Sequence, residues 1–254
     1  MLMGMTPDNA GDTGGNPAAE RTALVVGGTG GIGGAISQAF ARRGDRVVAT
    51  ALTAAEISAA RHDERLAGVD IEQLDIRDDD MVAALVGSLG GLDVLVNSAG
   101  VSASPADFTV EGFARSIDIN LVGVARVCFA AHPLLVASRG CIVNVGSMMS
   151  FRGSATGPAY AAAKGGVGQL TKSLAAAWSP EVRVNAVAPG WIRTPLTEHL
   201  QHDELVDTRV VSRTPAGRWG EPDEVAVAAL FLSDPTSTFV NGVMLPADGG
   251  YLAT

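Results

Sequence analysis

The apolar run Ala23-Leu24-Val25-Val26, followed without a break by the glycine-rich stretch GGTGGIGG over residues 27–34, constrains this chain more than any other feature. Four consecutive apolar residues, two of them β-branched, suit a strand covered on both faces. Beyond the glycines, Ile36, Ala39 and Phe40 recur at helical spacing. Strand, glycine turn and helix together form the opening of a βαβ unit, whose helix N-terminus offers unbonded N–H groups to a pyrophosphate. Gly27, Gly31 and Gly33 stand where such a turn needs a tight bend, a close approach of backbone to phosphate, and close packing of helix on sheet. A glycine cluster alone is common in loops, and here the flanking strand and helix supply the context the motif requires.

The alternation continues along the chain. Gly44 is placed to end the first helix, and Arg46–Ala49, Ile71–Leu74, Leu92–Val96, Cys141–Val145, Arg183–Ala188 and Gly242–Leu245 read as further strands. Helical patterns run from Val110 to about Ala137, from just before Tyr160 through Leu170, Leu174 and Trp178, and from Val225 to Leu232. Alternating strands and helices predict an α/β fold: one doubly wound, Rossmann-like domain with a mainly parallel sheet of about seven strands and helices on both faces. With 47% hydrophobic positions in 254 residues and no linker composition after residue 21, a single domain over 21–254 is expected. Residues 1–20 are rich in Gly, Pro, Asn and Asp and predict a mobile tail, to which no function is assigned.

A formal net charge of -9 argues against nucleic acid or an anionic membrane as partner and favours a small molecule. The two cysteines, Cys128 and Cys141, lie in apolar surroundings and are expected as buried thiols in a reducing compartment. No apolar run is expected to reach the ~18 residues of a membrane span, and a cytoplasmic location is expected.

Chemistry concentrates between Cys141 and Lys164. Ser147 leaves the strand Cys141–Val145, and Tyr160 and Lys164, four apart, share one helix face, with Pro158 suited to the first turn. A hydroxyl, a phenol and an ammonium brought together make a proton-donating site, in which the ammonium is expected to lower the tyrosine pKa. At the end of the second strand, Thr50-Ala51-Leu52-Thr53 carries neither the carboxylate nor the cation that would select an adenosine ribose or its 2′-phosphate. Asp75 has two readings, an acceptor for the adenine amino group or a cap of the next helix. Asn97-Ser98-Ala99-Gly100 forms a small-residue turn suited to passing beneath a ribose, and Asn120 among apolar helical residues suggests a local task, bonding a backbone carbonyl or holding water. His199 and His202, with Asp203 and Glu204, are read as a solvent-facing acidic lid and not as a metal site. Arg42-Arg43 is read as an exposed helix end favoured by the helix dipole.

Taken together, VGGTGGIG, NSAG, the Ser147–Tyr160–Lys164 spacing, Pro189-Gly190, PAGRWGEPDEV and ADGG resemble the short-chain dehydrogenase/reductase family across residues 22–251. Val26 stands where that family's glycine motif usually begins with threonine, and Ser98 replaces the second asparagine of its NNAG motif. The resemblance implies hydride transfer between a nicotinamide cofactor and a small or medium secondary alcohol or ketone. Tyr160 would be the general acid or base, Ser147 would bond the substrate oxygen, Lys164 would hold the nicotinamide ribose, and Asn120 would carry a water. It also implies cofactor contacts from Gly27, Thr29, Gly30, Gly31, Ile32 and Gly33 in the turn. Further contacts would come from Asp75, Ile76, Asn97, Ala99 and Gly100, and then from Tyr160, Lys164, Pro189, Gly190, Ile192 and Thr194. The cofactor is expected to be NAD or NADP with a slight lean to NADP, since nothing at Ala51 repels a 2′-phosphate. Alternatives are reduction of 3-oxoacyl chains on acyl-carrier protein, and a non-catalytic nucleotide-sensing module. Phe151, Trp191, Leu196, Leu200 and Trp219 are expected around the substrate under a covering segment 191–222. Val167, Leu170 and Leu174 are expected to form an intersubunit face, with a homotetramer favoured over a dimer.

Overall fold

The computed structural model describes residues 21–254; the expected tail, residues 1–20, lies outside the described residues. The chain runs β1 (Thr22–Val26), α1 (Gly31–Arg43), β2 (Arg46–Ala51), α2 (Ala54–Arg61), β3 (Asp70–Gln73), α3 (Asp79–Ser88) and β4 (Val94–Asn97). It continues through α4 (Val110–Ile117), α5 (Gly123–Ser138), β5 (Cys141–Val145), α6 (Pro158–Trp178) and β6 (Arg183–Pro189). The last elements are α7 (Glu198–Gln201), α8 (Glu204–Arg213), α9 (Pro222–Ser233) and β7 (Met244–Ala247). All seven strands pair in parallel in the order β3-β2-β1-β4-β5-β6-β7.

Period-two alternation divides the strand residues between two apolar layers. Leu24, Val26, Leu95, Ile142 and Val184 face α3, α5 and α6, whereas Ala23, Val25, Val94, Val143 and Val187 face α1 and α9. Because both sheet faces are covered, the strands read as unbroken apolar runs, which is why they were legible without alternation. Helix α2 has no expected counterpart in the strand and helix pattern. It is set by a capping box in which Thr53 Oγ1 accepts from Glu56 N at 3.2 Å and Glu56 Oε2 accepts from Thr53 N at 2.9 Å. Gly44 ends α1 in the left-handed conformation, as expected, and Arg43 beside it pairs with Asp45.

One expectation fails here. Val167 and Leu174 lie inside the subunit's own core, against the sheet and α5, because the chemistry-bearing helix packs its apolar stripe inward. Among the exposed apolar side chains are Val122 and Phe129 near and on α5, Val227, Phe231 and Phe239 on and after α9, and Phe108, Val110 and Leu205 elsewhere. As expected, a helix runs on from Val110: α4, a π-helical turn at Asp118–Val122, and α5 form one continuous helix, Val110–Ser138, of 29 residues, containing a window of mean hydropathy 1.7. By length and composition that helix could span a membrane. Here Val124, Val127, Cys128, Ala131 and Leu135 fasten its inner face to the sheet.

Candidate active site

The strand order reverses between β1 and β4, the switch point at which open α/β sheets leave a crevice beyond the carboxyl ends of their strands. A cleft of about 720 Å³ opens there. It is walled by the glycine turn, the ends of β2, β4, β5 and β6, one side of the long helix, the start of α6, Ile192 and residues 194–197.

The glycine turn is as tight as the sequence implied. A Cβ on Gly33 would stand 2.0 Å from the Gly27 carbonyl oxygen, so α1 can begin this close to β1 only with glycine there. Thr50 at the end of β2 locks the turn by accepting from Gly27 N at 3.1 Å. Gly30 faces open space, leaving a cradle that any side chain would intrude upon. This cradle at the N-terminus of a 13-residue helix suits a dinucleotide's phosphates.

Across the cleft, Ser147, Tyr160, Lys164 and Asn120 all reach the same space. Ser147 follows β5 and caps a 3₁₀ turn, its Oγ accepting from Met149 N at 3.1 Å. Pro158 occupies the first position of α6, so that Tyr160 and Lys164 lie in its first two turns. Lys164 is buried, donates from Nζ to the Val145 carbonyl at 2.8 Å, and lies 5.8 Å from the centre of the Tyr160 ring. Burial pushes the lysine down to about 8. The expectation that the lysine lowers the tyrosine pKa is not met. Burial pushes the Tyr160 phenol above its ordinary value, with the Ser147 hydroxyl pulling it partly back. The ammonium donates to the Val145 carbonyl, and burial sets the direction of the phenol's shift.

Asn120 lies in the π-helical turn, fully buried. Its Oδ1 accepts from Val101 N at 3.1 Å and its Nδ2 donates to Ser116 Oγ at 3.2 Å. Its side chain therefore holds a backbone amide and a hydroxyl, so of the two expected tasks it does not bond a backbone carbonyl. π-turns recur at functional sites because they re-aim one side chain out of the regular ladder.

Of the expected cofactor contacts, Gly27, Thr29, Gly30, Gly31, Ile32, Gly33, Asp75, Ile76, Ala99, Gly100, Pro189, Gly190, Ile192 and Thr194 line the cleft. Asn97 does not. It is buried beneath the cleft and donates to Asn144 Oδ1 at 2.9 Å and Cys128 Sγ at 3.3 Å; Asn144 in turn donates to Thr171 at 3.0 Å, tying β4 and β5 to α6. Asp75 does not cap α3, which is capped by Asp78; Asp75 Oδ1 instead accepts from Arg77 N at 2.9 Å. Its carboxylate pairs with Arg77, whose guanidinium holds it below the usual carboxylate range.

The expected apolar lining is mostly displaced. Leu196 reaches the cleft, but Phe151 is exposed at the surface. Trp219 is fully buried with Nε1 donating to Asp207 at 2.8 Å, and Trp191 stacks edge-on against it. These tryptophans brace the segment over the cleft and do not line it. Asp203 accepts from Leu205 N at 3.0 Å and Val206 N at 3.2 Å, which makes it the cap of α8.

Sequence reasoning missed Glu56, Arg115 and Ile119 in the cleft wall. Glu56 was hidden because it belongs to the unexpected α2, where Oε2 also accepts from Leu52 N at 3.0 Å and sets a carboxylate beside the end of β2. The Thr53-x-x-Glu56 spacing was the available signal. Ile119 and Arg115, one turn apart, needed only the phase of the Asn120 helix.

Comparison with known proteins places this geometry in company. A family model described as enoyl-(acyl carrier protein) reductase matches residues 27–252. The chain is 39% identical to the cis-4-hydroxycyclohexanecarboxylate dehydrogenase of Sinomonas cyclohexanicum, over 94% of this chain and 99% of that one. It is 37% identical to a 3-oxoacyl-(acyl-carrier-protein) reductase of Thermotoga maritima, over 91% of this chain and 97% of that one. A gluconate 5-dehydrogenase from Burkholderia cenocepacia, solved with NADP and tartrate, superposes with a TM-score of 0.85 at 33% identity, covering 92% of this chain and 96% of that one.

Proposed function

Since the chain belongs to the short-chain dehydrogenase/reductase family and is an NAD(P)-dependent oxidoreductase of alcohol and ketone groups, we propose that Tyr160 exchanges the proton in that reaction. The observation that carries this reading is the convergence of Ser147, Tyr160 and Lys164 with the glycine cradle on one cleft. When bound, the nicotinamide dinucleotide supplies or accepts the hydride. In reduction, the carbonyl carbon gains that hydride and the carbonyl oxygen gains the proton of the Tyr160 phenol; in oxidation both leave the alcohol. A phenol pushed up by burial stays protonated at neutral pH, the state that reduction requires. Ser147 Oγ donates to the substrate oxygen as charge develops on it. Lys164 holds the nicotinamide ribose, and Asn120 keeps the π-turn open for a water that restores the phenol's proton.

The glycine cradle binds the pyrophosphate, with Asp75, Ile76 and Gly100 flanking the adenosine half and Pro189, Gly190, Ile192 and Thr194 the nicotinamide half. Residues 21–254 act as one unit in which segment 191–222, carrying α7 and α8, covers the substrate; Pro195, Leu196 and Thr197 already form cleft wall. Two separate apolar faces, one around Phe129 and one around Phe231, support a homotetramer, since one face closes a dimer and two are needed to pair dimers. The free, buried Cys128 and Cys141 support a cytoplasmic location.

The test is a panel of ketones and secondary alcohols assayed with NAD(H) and NADP(H). Turnover of at least one substrate that disappears in Tyr160→Phe supports the reading. Tight cofactor binding without turnover across the panel would mean a nucleotide sensor instead.

A further inference from the structure

Asp107 lies in the 3₁₀ turn Pro105–Phe108, between β4 and α4, and is 4% exposed. Among the described residues no cation pairs with it. A buried carboxylate without a cation is costly unless hydrogen bonds replace the water it lost. Both of its oxygens are bonded: Oδ2 accepts from Tyr160 N at 3.0 Å, and Oδ1 accepts from Ser104 N at 3.3 Å and Ser104 Oγ at 3.4 Å.

Tyr160 is the third residue of α6, and its N–H is one of those a helix cannot satisfy internally. The residue that would ordinarily cap it, Gly157, has no side chain to offer. The cap comes instead from 53 residues upstream. Room for it exists because position 157 is glycine: a Cβ there would stand 2.2 Å from Ala103 Cβ. The segment that carries Asp107 is also fastened at its other end, where Val101 N donates to Asn120 Oδ1 at 3.1 Å. One short strap, 101–107, therefore joins the π-turn of Asn120 to the backbone of Tyr160.

We propose that Asp107 is a positioning residue for hydride and proton transfer, setting the first turn of α6, and with it the Tyr160 phenol, against Ser147 through its bond to the Tyr160 amide. This rests on the reading of Tyr160 as proton donor. The same bond also caps the helix end, so the test must separate stability from rate. A reacting group displaced by a fraction of an ångström loses rate while binding survives.

The experiment compares Asp107→Ala, Asp107→Asn, Thr109→Ala and Tyr160→Phe with wild type. Thr109 caps α4, its Oγ1 accepting from Gly112 N at 3.0 Å, so its loss weakens the same region while leaving the bond to the Tyr160 amide in place. Asp107→Ala is expected to lower kcat about ten- to hundredfold. Substrate KM and the NADH and NADPH dissociation constants, read by fluorescence, should stay within about twofold, and the solvent deuterium isotope effect on kcat should rise as proton transfer becomes slow. Asp107→Asn should recover most of the rate, because its amide oxygen can still accept from Tyr160 N, and Thr109→Ala should lose stability alone. A normal kcat and isotope effect in Asp107→Ala, or an equal rate loss in Thr109→Ala, overturns the proposal. If Asp107→Ala does not fold, the wild-type Tyr160 amide decides by NMR: slow hydrogen exchange is expected, and exchange as fast as an open helix end refutes the bond. Full turnover in Tyr160→Phe would instead refute the proton-donor reading and leave the structural bond standing, so the two failures are distinct.

Discussion

Tyr160 and Lys164 show how burial decides the character of a polar pair before any ligand enters. The phenol is pushed up and the ammonium down, so both favour their neutral forms more than in water. Tyr160→Phe removes only the transferable proton. It should leave the fold and cofactor affinity intact while lowering turnover by about 10²-fold or more, as steady-state assays and cofactor titration would show. Lys164 has a stability signature of its own. Its folded value is about 8 against 10.5 for the free side chain, so between those limits the unfolded chain binds more protons at this residue and stability rises with pH. The cost of about 3 kcal/mol, full below pH 8, fades as pH approaches 10.5. Buried Cys128, pushed up to about 12, works in the opposite direction at alkaline pH. The clean measurement is therefore a difference between proteins. Any stability advantage of Lys164→Met over wild type in urea denaturation should shrink by about 2 kcal/mol from pH 7.5 to 9.5. A constant difference would mean that the ammonium is solvated.

At the scale of elements, the β2–α2 junction governs the adenosine end of the cleft. Ala51 is buried there with no charge of its own, and Glu56 brings a carboxylate to the backbone amides of Leu52 and Thr53. Helix propensity and capping together place that charge; neither residue 51 nor residue 56 alone describes it. Ala51→Asp adds a second carboxylate that accepts from a ribose diol and repels a 2′-phosphate. The ratio of kcat/KM for NADP and NAD should move toward NAD by about 1 to 3 kcal/mol. An unchanged ratio would show that other residues read the adenosine ribose. The long helix Val110–Ser138 carries a comparable lesson. Its apolar period was plain in the sequence, but the π-turn within it, which aims Asn120 at Val101, depends on the strap it grips.

For the molecule as a whole, the apolar residues that face outward predict assembly. Light scattering at micromolar concentration should give a tetramer, and Phe129→Glu, placing a charge on a half-exposed aromatic of α5, should reduce it to dimers without loss of the fold. A monomeric wild type would refute the assignment of these faces. Much of the architecture was legible because a parallel sheet covered on both faces writes its strands as apolar runs, and because glycine is forced wherever backbone must approach backbone, as at Gly33. The spacing of Tyr160 and Lys164 was likewise a local matter of helix geometry. What only the tertiary structure decided is everything that turns on a partner distant in sequence. The side of α6 that faces inward, the burial of the tryptophans, the withdrawal of Asn97 into the Asn144 and Cys128 network, and the pairing of Asp107 with the Tyr160 amide all belong here. A chain specifies such contacts only through the packing of the whole: a side chain's periodicity says which residues share a face, and the neighbouring elements say what that face meets.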